Sequence, residues 1–88
     1  MFRFYSKSNN GARVTVVGEH KDNVLTIGVS RCGENDAFNK AKGVKIAESR
    51  INGGKHYMKI PMEERNPKVF DTIARGISER VLKTKIVY

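Results

Sequence analysis

The residues best suited to chemistry are the cations between Lys40 and Lys59, because lysine and arginine side chains bind phosphate groups. This segment contains a single carboxylate, Glu48. Its cations are Lys40, Lys42, Lys45, Arg50, Lys55 and Lys59. Cations at this density displace counterions from a phosphate backbone, and the release of those counterions favours binding at low salt. The segment therefore predicts a polyanionic partner, and nucleic acid fits that description.

A helix over residues 36–52 is predicted to carry most of this charge. Apolar residues recur through it at spacings of three and four, which is the period of one helical face. Asn35 or Asp36 is the predicted N-cap, and Gly53-Gly54 is the predicted stop. Lys42 and Lys45 fall opposite the apolar stripe and are expected to face solvent.

Three strands joined by short turns precede this helix, over residues 2–5, 13–17 and 24–30. Ser8-Asn9-Asn10-Gly11 and His20-Lys21-Asp22-Asn23 provide the turn signals. A fourth strand over 56–60 and a second helix over 67–83 follow. The β-β-β-α-β-α order predicts one α+β domain spanning residues 1–88. In it an antiparallel meander packs with two helices, and both helices are expected on one face of the sheet.

The first strand alternates large aromatic side chains with polar ones. Phe2 and Phe4 are expected to face the core, because residues two apart lie on the same face of a strand. Arg3 and Tyr5 would then share the other, open face. An arginine beside a tyrosine on an open sheet face can contact a nucleic-acid base or a partner protein.

Composition bounds the class of protein. The chain has 88 residues, a formal net charge of +8 and a hydrophobic share of 39%, which favours a folded basic domain over a disordered tail. Cys32 is the only cysteine, so an internal disulfide and a Cys-rich zinc site are excluded. No signal-peptide pattern or membrane-length apolar run occurs. We therefore expect an intracellular protein with no membrane partner.

No catalytic, metal-binding or cofactor-binding constellation is predicted, and the chain is not expected to be an enzyme. His20 and His56 fall in or beside turns and are interpreted as surface histidines. Gly53-Gly54-Lys55 lacks the upstream glycine and the following Ser or Thr of a phosphate-binding loop. Those glycines are read as a helix C-cap, although exposed amides at such a turn can hold a backbone phosphate.

The run from Arg31 to Ile51 resembles a pattern in small accessory proteins of tailed bacteriophages. Its residues are Arg31-Cys32-x-x-x-Asp36-x-Phe38-Asn39-Lys40-x-x-Gly43-x-x-Ile46-Ala47-x-x-Arg50-Ile51. Among those proteins it is most similar to the phage antitoxin that neutralises the RNase toxin of a type III toxin–antitoxin system. The resemblance implies a non-enzymatic host-takeover or counter-defence protein in the cytoplasm of an infected bacterium. It further implies joint binding of RNA and a toxin protein.

The expected function is that of a small RNA-binding protein that inhibits a host defence or toxin protein through a nucleic-acid-associated complex. RNA is favoured over DNA. Two alternatives stay open: a direct inhibitor of a host enzyme that uses no RNA, and a non-specific DNA-binding protein whose basic helix enters the major groove. The candidate nucleic-acid-binding residues are Arg31, Lys40, Lys42, Lys45, Arg50, Lys55 and Lys59. A homodimer is also expected, because the apolar tail Ile86-Val87-Tyr88 offers surface to a second copy.

Overall fold

The chain forms a four-stranded antiparallel sheet with two helices. The computed structural model describes residues 1–9, 11–33 and 39–84. The elements in chain order are strands Phe2–Lys7 (β1), Arg13–Lys21 (β2) and Val24–Cys32 (β3), helix Lys40–Asn52 (α1), strand Met58–Pro61 (β4) and helix Pro67–Thr84 (α2). The strand order is β1-β2-β3-β4. The predicted α+β fold and order of elements are confirmed. Within those ranges no helix combines the length and the apolar character needed to span a membrane.

The turn between β2 and β3 is a two-residue hairpin. Asp22 and Asn23 have φ angles of 54° and 61°. Asp and Asn tolerate this left-handed conformation, which a two-residue hairpin of the favoured type requires at both positions. Lys21 pairs directly with Val24, so β2 runs to the turn, beyond its predicted end at Val17. β3 begins at Val24 as predicted and continues to Cys32.

Both helices begin at an asparagine cap. Asn39 is extended, with φ at −135°, and its side-chain oxygen accepts a hydrogen bond from the Lys42 amide. The prediction that Asn35 or Asp36 caps α1 is therefore wrong, because the helix begins later; both residues lie outside the described ranges. Asn66 caps α2, as its position before a proline predicted.

The two helices lie on opposite faces of the sheet, so the expectation that both would cover one face is wrong. α2 packs on the larger core. That core is formed by Phe2, Val14, Val16, Leu25, Ile27, Val29, Met62, Phe70, Ala74, Ile77 and Val81. α1 packs on the other face, where Val44 and Ala47 contact Val17 and Ile51 lies at the margin. Successive side chains of a strand point to opposite faces of the sheet. Both faces therefore carry apolar side chains, and each helix covers one of the two faces.

Small residues on β3 let α1 approach the sheet closely. Gly28 and Ser30 belong to the alternation that predicted a polar face, yet both are buried beneath the helix. A Cβ at Gly28 would fall against the Ala47 carbonyl oxygen and 2.8 Å from Ile51 Cγ1. The Ser30 hydroxyl donates a hydrogen bond of 2.9 Å to the Gly43 carbonyl. Gly28 and Ser30, which the alternation placed on a polar face, therefore form part of the surface on which α1 packs.

Besides the pairing of β4 with β3, three hydrogen bonds attach the residues on either side of β4 to the rest of the sheet. The Tyr57 amide donates to the Ile27 carbonyl at 2.6 Å, and the Met62 amide donates to the Asn23 carbonyl at 2.9 Å. His20 Nε2 donates to the Met62 carbonyl at 2.6 Å. His20 is half-buried and structural, so the expectation of a surface histidine is wrong for this residue.

Replacing Gly28 with alanine should destabilise the protein. The added methyl group collides with helix backbone rather than with a flexible side chain, so α1 must shift away from β3. Overpacking of this kind lowers the free energy of unfolding by about 1–3 kcal/mol. Denaturant unfolding followed by circular dichroism measures the change.

Gly76→Ala is the matched control, because a Cβ at Gly76 in α2 meets nothing within 4 Å. This change should raise the free energy of unfolding by roughly 0.5–1 kcal/mol, since alanine is the better helix former. Equal destabilisation by the two substitutions would contradict the close packing of α1 on β3 at Gly28.

Self-association remains a prediction. The tail Ile86-Val87-Tyr88 lies outside the described residues, while β1 and β4 form the two edges of the sheet. Among the described strands β1 is the longer edge, and its outward backbone groups offer hydrogen bonds to a second chain. Sedimentation equilibrium should give twice the mass of one chain. A single-chain mass across a wide concentration range would refute the dimer, and deletion of residues 85–88 tests the role of the tail.

Candidate nucleic-acid interface

A groove runs between α1 and the edge strand β1. The register places Arg3 beside Val17 and Tyr5 beside Thr15, on the face that α1 covers. The helix lies over β2 and β3, so β1 stays uncovered on this face. The resulting cavity of about 300 Å³, called here the basic groove, is lined by Arg3, Tyr5, Ala41, Val44, Lys45 and Glu48.

Tyr5 provides an exposed aromatic ring in this groove. Its side chain is 38% exposed, which makes it one of few large apolar side chains open to solvent in the described ranges. The Lys40 ammonium group lies 4.8 Å from the centroid of the ring. A cation over an aromatic face is attracted by the quadrupole of the ring, so this contact holds Lys40 at the rim of the groove. The predicted pairing of Arg3 with Tyr5 on one sheet face is confirmed.

Lys42 and Lys45 are exposed, as their positions opposite the apolar stripe predicted. The first turn of α1 contains no acidic residue. The N-terminal end of a helix carries a partial positive charge, which Lys40 and Lys42 reinforce. This end of α1 therefore attracts an anion in two ways, through the lysine ammonium groups and through the helix dipole.

Arg31 lies on the other face of the sheet and does not join these lysines. It pairs with Val14, whose side chain belongs to the core beneath α2. Its side chain is half-buried, and the described residues offer its buried Nε no hydrogen-bond partner. Of the predicted cations, Arg31 is thus the one that the sheet separates from α1.

Arg50 has a structural contact. Its Nη1 donates a hydrogen bond of 2.6 Å to the Val29 carbonyl. β4 pairs with β3 only as far as Ile27 opposite Met58, so the Val29 carbonyl lies beyond the end of that strand. The guanidinium of Arg50 satisfies a carbonyl that β4 does not reach.

Lys55 follows a complete helix C-cap at the far end of α1. Gly54 has a φ of 74°, its amide donates to the Ile51 carbonyl, and the Lys55 amide donates to the Arg50 carbonyl at 2.7 Å. The predicted helix C-cap is confirmed, and the helix carbonyls already accept the hydrogen bonds of these amides. The Lys55 side chain is exposed.

Lys59 is exposed on the opposite edge of the sheet. It pairs with Thr26 and shares the face of α1, but it lies on β4 while the basic groove borders β1. Neighbouring strands are about 4.8 Å apart, so roughly 14 Å of sheet separates the two edges. The predicted cations thus divide into three exposed lysines on α1 (Lys40, Lys42, Lys45), two exposed lysines before and within β4 (Lys55, Lys59) and two half-buried arginines.

Lys7 extends the basic surface and was missed by the sequence analysis. It is exposed and shares the face of Arg3 and Tyr5, since residues two apart lie on the same side of a strand. The predicted strand ended at Tyr5, while β1 continues to Lys7. Continuing the alternation by one more pair of residues would have placed Lys7 on this face.

The outward face of α2 mixes both signs of charge. Asp71 precedes Arg75 by four residues, and Glu79 precedes Lys83 by four; all four are exposed. Opposite charges at this spacing stabilise a solvated helix. α2 also carries exposed Lys68 and Arg80, so its exposed charges are four cations and two carboxylates, whereas the exposed charges of α1 are three lysines without a carboxylate.

Comparison of the chain with protein-family models, curated proteins and solved structures finds no significant match.

Proposed function

We propose that this protein binds single-stranded nucleic acid, RNA in preference to DNA, through the basic groove and the exposed lysines of α1. The observation that carries the proposal is Tyr5, an exposed aromatic ring on the open strand of a basic face. Proteins that bind single strands combine a cationic groove with aromatic rings on which bases stack.

The aromatic ring supports a single strand as the ligand. Bases of a duplex are stacked on one another and present only their edges, whereas an unpaired base can lie flat on a tyrosine. Tyr5 lies at the wall of a groove of about 300 Å³, near the lower end of the range for small-molecule pockets. One nucleotide, rather than a helical duplex, matches a cavity of this size.

The cations support a charged polymer as the ligand. Arg3 and Lys45 line the groove, and Lys40 lies over the Tyr5 ring. Lys7 and Lys42 are exposed on the same side of the sheet, on β1 and α1. Phosphates lie on both sides of any stacked base, so cations around one aromatic ring can contact successive phosphates. These contacts are made to phosphates, so the affinity that they provide does not depend on the base sequence.

The biological role that we propose follows the resemblance to phage accessory proteins. A protein that holds RNA on one face can engage a host toxin RNase or defence protein through the same RNA. The preference for RNA over DNA rests on that resemblance. Recovery of the tagged protein from cells, with and without RNase treatment, tests the role: loss of the partner after RNase supports it, and RNase-resistant capture favours a direct protein inhibitor.

Replacing Tyr5 with alanine should weaken binding to single-stranded RNA. Loss of one stacking contact costs about 1–3 kcal/mol, which is roughly a 5- to 150-fold rise in Kd. Tyr5→Phe should keep most of the affinity, because the ring is retained. Fluorescence anisotropy with labelled oligonucleotides measures the change. Val69→Ala removes another exposed apolar side chain, on α2, and should leave binding unchanged; equal losses from Tyr5→Ala and Val69→Ala would contradict the site.

Reversing Lys42 and Lys45 to glutamate should weaken RNA binding about equally for unrelated sequences. Each phosphate contact contributes roughly 0.7 to the slope of log affinity against log salt for a single strand, so the slope should also flatten. Folding should survive, because both side chains are exposed. Titrations at several salt concentrations measure the slope, and thermal melting checks the fold.

Lys21→Glu and Lys83→Glu together are the control for this pair. Both residues are exposed and give the same change in net charge, but Lys21 adjoins the β2–β3 turn and Lys83 lies on α2. The control protein should keep most of its affinity. Equal losses in both double variants would show that only net charge matters, and an absence of salt-sensitive binding in the wild type would refute the proposed function.

A further inference from the structure

The basic groove contains one group that phosphate binding does not explain. Glu48 is a half-buried carboxylate that lines the groove together with Arg3, Tyr5 and Lys45. An ionised carboxylate only accepts hydrogen bonds, and it repels phosphate. Phosphates therefore favour the position of Lys40, which lies over the Tyr5 ring, rather than the position beside Glu48.

A nucleic-acid base is the part of a nucleotide that suits a carboxylate. Bases are uncharged, and their exocyclic amino groups and ring N–H groups donate hydrogen bonds. The wall of the same groove provides the Tyr5 ring, on which a base can stack if the Lys40 ammonium group, which lies over the ring, moves aside. An aromatic surface and a hydrogen-bond acceptor thus border one cavity.

We infer that the basic groove is a base subsite that selects guanine, with Tyr5 stacking on the base and Glu48 accepting its hydrogen bonds. Guanine carries two adjacent donors on its Watson–Crick edge, N1–H and the N2 amino group, which match the two oxygens of a carboxylate. Adenine and cytosine offer one amino group beside a ring acceptor. Uracil offers one N–H between two carbonyl oxygens, which repel a carboxylate.

This inference rests on the proposed function and refines it. The lysine contacts stay independent of sequence, while one position of the strand becomes selective. Recognition of unpaired bases commonly combines an aromatic stack with hydrogen bonds to the Watson–Crick edge. The expected specificity is therefore modest and confined to one nucleotide.

The experiment uses the full chain and short labelled oligouridine RNAs that carry one central guanosine, inosine, adenosine or cytidine. Inosine lacks the N2 amino group but keeps N1–H. The guanosine RNA should bind at least about fivefold more tightly than the adenosine RNA, the lower limit for a bidentate contact. The inosine RNA should bind with intermediate affinity.

Glu48→Gln should abolish the preference for guanosine, because the amide has one acceptor oxygen in place of two. The variant should also bind unmodified oligouridine more tightly than the wild type, since a negative charge is lost from the groove. Glu79→Gln is the matched control: Glu79 is exposed on α2, and this change should leave the preference intact.

Two results would overturn the inference, and they are distinguishable. If wild type binds every RNA equally and Glu48→Gln raises every affinity by the same factor, Glu48 only lowers the charge beside Lys45. Binding through the basic face then stands without a guanine subsite. If wild type binds none of the RNAs, the proposed function fails together with the inference.

Discussion

The close contact between α1 and β3 is the constraint on which this side of the molecule depends. Backbone meets backbone at Gly28 and Ala47, and the Ser30 hydroxyl ties the Gly43 carbonyl to the sheet. A helix seated this deeply covers β2 and β3 and leaves β1 open. The basic groove is the space that remains, so its shape is set by two glycines and a serine that do not line it.

The elements of the fold were predictable, because their signals are local. The turn at Asp22-Asn23 and the helix start at Asn66-Pro67 depend on the conformations that those residues tolerate. The placement of the helices was not predictable from such signals. Gly28 in an alternating strand reads as an exposed position, and only the docked helix shows that its lack of a side chain serves close packing.

The candidate site was predictable in part for the same reason. Helical periodicity identified the exposed positions of Lys42 and Lys45 within one element. The partnership of Lys40 with Tyr5 joins residues that are far apart in the sequence and depends on how α1 crosses the sheet. Arg50 was predicted to contact a ligand because of its charge. In the structure its guanidinium instead donates a hydrogen bond to the Val29 carbonyl, which β4 is too short to reach.

The placement of α1 and α2 on opposite faces makes the sheet a spacer between two surfaces. A helix with its side chains is about 10 Å across, so the outward surfaces of α1 and α2 stand more than about 20 Å apart. Electrostatic interactions through physiological salt decay over about 8 Å. The electrostatic interaction between a charge on the outward surface of α1 and a charge on the outward surface of α2 is therefore weak. If each surface bound a charged ligand, long-range electrostatic coupling between the two ligands would be small.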